Sequence, residues 1–242
     1  MIDSARFTNP GGRDNNEDYV TVSEYGDERC FILCDGLGGH ECGEVASYTV
    51  AECVSELFAA QGDYPEFLDD AFKKAQEKLL NLQSERHMEN AMKTTMVVLV
   101  VTSEQIKWAH IGDSRLYRFY DSGRKYERTR DHSVVQALCD MGEITEKEMR
   151  NHPDRNKLLR VMGSEWSAKS YDKSAILERE GEMAFALMTD GFWEYVEEEE
   201  MMSILKSTDT AGQWMEAMTK LVFDRANMRN TDNLSVICVK VN

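Results

Sequence analysis

Four aspartates in this 242-residue chain stand on the lips of apolar runs. Asp35 follows FILC, Asp113 follows WAHIG within GDSR, Asp190 follows FALMT within TDGFW, and Asp232 precedes LSVICVKV within NTDNLS. A further acidic stretch, RDNNED over 13–18, lies just ahead of another apolar run. Each alone has an ordinary explanation, since Asp-Gly pairs and strand-end aspartates are turn chemistry. Together they ask for more. If the lips converge, the site holds five or six carboxylates, drawn from Asp35, Asp113, Asp190, Asp232 and the acids of 13–18. Carboxylates that close cannot all stay ionised without a compensating charge. Divalent cations supply one, and an all-oxygen ligand set selects Mg²⁺ or Mn²⁺ over zinc. Two such ions about 3.5–4 Å apart activate a water and clamp a phosphoryl group for in-line displacement. Gly36 has no side chain, so its carbonyl can come close to a metal. Arg13 is the strong bidentate donor beside the acids and suits phosphate oxygens; the plainer alternative is a surface salt bridge to Asp14 or Glu17.

These lips need strands to hold them. Apolar runs predict strands at roughly 19–23, 31–34, 95–102, 106–111, 115–120, 184–189 and 234–241. The neighbours 95–102 and 106–111 are joined so tightly that they must be antiparallel. Helical spacing predicts a helix over about 41–59 (Ala46, Val50, Val54, Leu57), and a second over about 65–86, starting at Pro65 (Leu68, Phe72, Ala75, Leu79, Leu82). A third, over about 210–228, carries Trp214, Met218, Leu221 and Arg225. The stripes are core faces. Strands in hairpins and helices in blocks predict two sheets covered by helices. The segment 132–180 reads as an excursion, with a helix over Val134–Met141 ending at Gly142 and a capping box at Thr145-x-x-Glu148.

Composition limits the classes. The net charge of −16 repels phosphate backbones, so nucleic acid is not an expected partner, and EEEE at 197–200 reads as a solvated helix start. The longest strongly apolar run, MVVLVV, is far short of the ~20 residues that span a bilayer. The N-terminus lacks a signal-peptide pattern, and no membrane association is expected. Cys30 and Cys34 lie in one predicted strand, about 13 Å apart at ~3.3 Å per residue, too far for a disulfide. The six cysteines read as small core hydrophobes, which fits a reducing, cytoplasmic compartment. One domain over 1–242 and a monomer are the expectations.

The motifs also have an order. Arg13…Asn16-Glu17-Asp18 is followed by CDGLGGHECGEVAS, TTMVV, IGDSRLYR, RDHSVV, LLRVMGS, MTDGFW and TDNLSV, spanning nearly the whole chain. In that order they resemble the metal-dependent Ser/Thr protein phosphatases of type 2C, particularly the short bacterial branch. The resemblance implies an α+β fold: a four-layer α-β-β-α sandwich of two mainly antiparallel sheets flanked by helices. It implies two Mn²⁺ or Mg²⁺ ions with a weaker third. Asp35 would bridge the two ions, Asp190 and Asp232 would bind the first, and Glu17 and the Gly36 carbonyl would serve the second. Asp113 would recruit the third. Asp18 would stand behind the ligands, Asn233 would orient a neighbouring one, and Arg13 would bind phosphate. The segment 132–180 falls where bacterial members carry a flap that influences substrate choice. The implied reaction is hydrolysis of phosphoserine and phosphothreonine by in-line attack of a metal-bridged hydroxide, without a phosphoenzyme, on proteins phosphorylated by a Ser/Thr kinase.

One departure concerns the leaving group. Animal and plant members usually carry His two residues after the bridging Asp, where this chain has Leu37. The proton is therefore expected from a water near Asp113, with His40 supporting its loop. His132 and His152 are expected to pack in core or turn, and His110 to be satisfied by a neighbour. Two other classes compete. A pseudophosphatase would bind phosphoproteins without hydrolysis, but such proteins usually lose metal-binding Asp residues, and Asp35, Asp190 and Asp232 all stand. A two-metal nuclease would need a basic groove, which the charge disfavours. No Cys-x5-Arg nucleophile loop is present.

Overall fold

A computed structural model describes residues 1–37, 42–88, 91–166, 170–226 and 230–242. In chain order the first elements are β1 (Ile2–Asn9), β2 (Asp18–Tyr25), β3 (Glu28–Leu37), α1 (Cys42–Gln61) and α2 (Phe67–Arg86). Next come β4 (Lys93–Thr94), β5 (Met96–Val101), β6 (Gln105–Ile111), β7 (Arg115–Tyr120) and β8 (Lys125–Arg128). The excursion holds α3 (Val134–Asp140), α4 (Glu146–Met149), β9 (Asp172–Lys173) and β10 (Leu177–Glu178). The chain closes with β11 (Met183–Met188), α5 (Asp190–Trp193), α6 (Glu198–Lys206), α7 (Ala211–Arg225) and β12 (Leu234–Val241).

Two antiparallel sheets result. One runs β1-β12-β11-β7-β8; the other runs β10-β6-β5-β3-β2, with β4 beside β3 and β9 beside β6. Alternation along the strands divides three apolar layers. Phe31, Leu33, Val97, Leu99, Phe185, Leu187, Ile237 and Val239 fill the space between the sheets. Cys30, Ile32, Cys34, Val98 and Val100 face α1 and α2. Ala186, Met188, Val236 and Cys238 face α5, α6 and α7. Both faces of each central strand are thus buried, which is why FILC, MVVLVV and SVICV are continuous rather than alternating. The expected four-layer α+β sandwich is observed.

The topology brings the acids together. Met188 at the end of β11 pairs with Val236 near the start of β12 and with Arg115 at the start of β7. In the other sheet Asp35 pairs with Asp18, and Ile111 at the end of β6 pairs with Met96 at the start of β5. All five lips therefore lie at one end of the sandwich.

Several expectations need correction. β3 does not stop at Asp35 but continues through Gly36 to Leu37. α2 begins at Phe67, with Pro65 in the preceding turn. The third helix buries Val222, while Arg225 is exposed and pairs with Glu200 at 2.5 Å. Within EEEE, Glu198 is largely buried and accepts from Arg150 at 2.8 Å and from Tyr117 Oη at 3.1 Å. α3 ends at Asp140, with Gly142 at φ +74° just beyond, and the Thr145–Glu148 capping box is present. β1 and β8 are additional strands that the apolar runs do not mark.

Candidate active site

Arg13, Glu17, Asp35, Gly36, Asp113, Asp190, Asp232 and Asn233 line a cavity of about 440 Å³ at the acid-bearing end. Asn15, Leu37, Asn156 and Leu158 complete it. Asn156 and Leu158 come from the 132–180 excursion; Leu158 opens the LLRVMGS motif, whereas Asn156 carries no signal in the sequence. Asp18 lies behind this wall, buried, opposite Asp35. His40, with Gly38, Gly39 and Glu41, lies outside the described residues.

Hydroxyls and amides fix the carboxylates. The Asp35 N–H donates to Thr95 Oγ1 (3.0 Å), and the Asp35 carbonyl accepts from Thr95 N–H and Thr94 Oγ1, both at 2.8 Å. Thr95 Oγ1 also shares a 2.8 Å bond with Ser114 Oγ, beside Asp113. Gly112, at φ +102°, makes the turn that presents Asp113, and a Cβ there would strike the Thr95 side chain. Trp193 Nε1 donates to the Asp113 carbonyl at 3.1 Å. Asp190 opens α5, where helix N–H groups favour an anion.

Asn233 is more than a neighbour of Asp232. Its backbone N–H donates to Asp232 Oδ1 at 2.9 Å, while its side chain accepts the Glu17 N–H (2.7 Å) and donates to the Pro10 and Asn15 carbonyls (2.9 Å each). It joins the Glu17 loop to β12. Gly36 has a steric reason as well: a Cβ there would meet the Gly43 carbonyl at 2.3 Å and the Glu17 carbonyl at 2.6 Å. Arg13 Nη2 reaches Asp232 Oδ2 at 2.8 Å, rather than Asp14 or Glu17.

The electrostatics are those of crowded acids. Burial, with the charges of Asp18, Asp190, Asp113 and Asp232, drives Asp35 well above the usual carboxylate range. Burial and Asp190 do the same to Asp113. Asp190 is pushed up to about 7 by burial, then by Glu194 and Asp232. Burial outweighs the Ser235 and Thr189 hydroxyls and takes Asp18 to about 8. Glu17 is also raised, by burial and Asp232, against the opposing pull of Arg13. Directly opposed like charges destabilise a strand pair, and Asp18 opposite Asp35 is such a pair. Thr189 Oγ1 donates to Asp18 Oδ2 (3.0 Å), but Asp18 Oδ1 is buried without a hydrogen-bond partner. A buried oxygen so placed is costly unless a cation lies near. The all-oxygen donor set therefore fits hard divalent ions.

A two-sheet sandwich with a carboxylate-rich cavity at one end and an arginine on its rim is the frame of a hydrolase site suited to a phosphoryl group and divalent ions. Residues 12–226 match the protein phosphatase 2C family model, and the chain belongs to that family. It is a protein phosphatase. The serine/threonine phosphatase stp of Listeria innocua is 31% identical over 240 residues, covering 95% of this chain and 92% of that one. Among solved structures, Stp1 from Staphylococcus aureus superposes with a TM-score of 0.88 at 30% identity, covering 100% of this chain and 96% of the other. The catalytic domain of PstP, solved with two manganese ions, gives 0.83 at 26% identity over 100% and 99% of the two chains.

Proposed function

We propose that this chain, as one catalytic unit over 1–242, hydrolyses phosphoserine and phosphothreonine in proteins, reversing the action of a Ser/Thr kinase. One observation carries the reading: a buried carboxylate cluster with a stranded oxygen on Asp18 and an arginine, Arg13, on the cavity wall. Likeness to serine/threonine phosphatases supports the substrate class, and the two manganese ions of PstP support the cofactor. A monomer in the cytoplasm remains the proposed state; no helix among the described residues is long and apolar enough to cross a membrane.

Asp35, Asp190 and Asp232 would hold the first of two Mn²⁺ or Mg²⁺ ions; Asp35, Glu17 and the Gly36 carbonyl the second; Asp113 a weaker third. When bound, such ions lower the pKa of water and neutralise charge on the phosphoryl group. Arg13 binds the phosphoryl oxygens, exchanging its Asp232 contact for them. Asp18 fixes Asp35 from behind, and Asn233 fixes Glu17 and Asp232. Leu37 has no proton to give, so the alkoxide leaving group takes its proton from water on the Asp113 side of the cavity. Asn156 and Leu158 line the cavity, which supports a role for the 132–180 segment in selecting the flanks of the phosphorylated residue.

The test is phosphate release from a phosphothreonine peptide with Mn²⁺, with Mg²⁺ and with EDTA, beside Asp190→Asn. Metal-dependent release that the variant loses is the expected result. No release under any metal from folded protein would overturn the reading.

A further inference from the structure

His132 lies behind the Asp113 turn and outside the cavity lining. Its backbone N–H donates to the Gly112 carbonyl at 2.9 Å, and its ring Nδ1 accepts the Gly112 N–H at 3.2 Å. An imidazole nitrogen that accepts carries no proton, so Nε2 carries it and donates to Asp172 Oδ2 at 3.1 Å. The other tautomer would set two donors against each other at Gly112 and two acceptors at Asp172. The His132 side chain is 1% exposed. Burial and the neighbouring His110 push its pKa down to about 4, so the ring is neutral at physiological pH.

His110, His132 and Asp172 have ligand atoms within 4.8 Å of one another, the spacing of a metal cluster. The geometry argues against one. The two rings are stacked, 4.7 Å between centroids at 21°, so their lone pairs run side by side instead of converging. His110 Nε2 is committed to the Arg130 carbonyl at 2.8 Å, as His132 Nε2 is to Asp172. The cluster is a hydrogen-bonded connection instead. Asp172 sits on β9, opposite His110 on β6. Leu159 N–H donates to the His132 carbonyl at 2.8 Å, and Val134 N–H to the Lys157 carbonyl at 2.9 Å. The 132–180 segment and the Asp113 turn therefore meet at one residue.

We propose that His132 is a positioning residue: its Nε2–H tautomer, fixed by Asp172, sets the Gly112–Asp113 turn and so couples the seating of the 132–180 segment to the aim of the Asp113 carboxylate. The coupling to catalysis rests on Asp113 belonging to the working site. The clamp itself does not.

Imidazole ¹⁵N shifts and Gly112 amide exchange, measured on metal-free protein, read the clamp. Turnover of a phosphothreonine peptide with Mn²⁺ reads its consequence. Wild type should show the Nε2–H tautomer and a protected Gly112 amide. Asp172→Ala, at a partly exposed position, should mix the tautomers and speed Gly112 exchange. It should lower kcat about tenfold, as loss of a group behind a ligand does, with KM within about twofold. His132→Asn keeps an acceptor for Gly112 but cannot span to Asp172, so adding Asp172→Ala, which also releases Arg160 at 3.8 Å, should leave Gly112 exchange and kcat where the single variant put them. An Nδ1–H tautomer in wild type, an unmoved kcat in folded Asp172→Ala, or additive losses in the double variant would each overturn the proposal. An inactive wild type with the clamp intact would overturn the phosphatase reading and the link to catalysis, and leave the clamp standing.

Discussion

Two clusters of buried charge sit at this end of the sandwich, and they are built on opposite rules. In one, Arg115 grips Asp131 through Nε–Oδ1 at 2.9 Å and Nη2–Oδ2 at 2.7 Å, with both side chains at most 3% exposed. Its third contact is Tyr117 Oη at 3.1 Å, and the guanidinium stacks 3.5 Å from the centre of the Trp193 ring. Charge, hydrogen bonds and face are all satisfied. In the other, Asp35, Asp113 and Asp190 line one cavity with Asp18 behind them, none of the four is hydrogen-bonded to a buried cation among the described residues, and protons take up the deficit at about 8 for Asp18 and about 7 for Asp190. A saturated pair holds a fold together; an unsatisfied set is held by the fold for something that binds. Trp193 joins the two, stacked on Arg115 and bonded to the Asp113 carbonyl.

The widest separation between the clusters should appear on mutation of Asp35. Asp35→Asn removes a proposed bridging ligand worth several kcal/mol of transition-state stabilisation, about a thousandfold in turnover. Metal-free stability should hold or rise, because a repelling charge has gone. A thermal midpoint that falls with activity would mean that Asp35 belongs to the satisfied kind. The mirror experiment is Arg115→Met, which takes both of its hydrogen bonds from Asp131, leaves Arg128 at 3.6 Å as the remaining cation, and should cost on the order of 3 kcal/mol in urea unfolding. Arg115→Met with Asp131→Leu should recover most of that loss. Full loss in the double variant would mean that the pair is worth more than its own charges.

Proton linkage separates the clusters without mutation. In metal-free protein Asp18 and Asp190 titrate above their ordinary value of 3.8. Between that value and about 7–8 the folded chain holds protons that the unfolded chain has released. Stability must then fall as pH rises through this window. Coupled groups share protons, so roughly one group's worth from pH 5 to 7 is on the order of 2–3 kcal/mol. Mn²⁺ should flatten the slope. Urea midpoints in EDTA that rise with pH would show the acids ionised and paired.

The sequence made much of this visible, and the limits have physical causes. The acids were legible because each interrupts an apolar run, and the runs were legible because sheets buried on both faces leave no polar alternation. β1 was not: IDSARFTN has only one face partly covered, and its partner is β12, with Ile2 opposite Val241 at the far end of the chain. β8, KYER, is a polar edge strand. The steric need for glycine at 36, where a Cβ would meet the Gly43 and Glu17 backbones, is one that no local pattern reports. The Asn233 side chain holds residues more than 200 positions away in sequence. Asn156 reaches the cavity through the path of the excursion alone.

Arg13 belongs to neither cluster, and that makes it the finest test. Its side chain is 59% exposed and its partner Asp232 is 42% exposed, so the pair adds little to stability. In the proposed function, Arg13 offers a guanidinium on the cavity wall whose Asp232 contact a phosphoryl group would replace. Charge-assisted hydrogen bonds of this kind are worth about 1.5–3 kcal/mol, so Arg13→Ala should raise KM for a phosphothreonine peptide by at least about tenfold, while the urea midpoint stays in place. Arg13→Lys keeps the charge but not the fork and should fall between. A rise in KM at constant kcat would mean that Arg13 grips phosphate equally before and during reaction; an equal fall in kcat and kcat/KM would mean that it tightens only on the transition state. If neither constant moves, Arg13 is a surface partner of Asp232, and the carboxylate cluster meets phosphate without it.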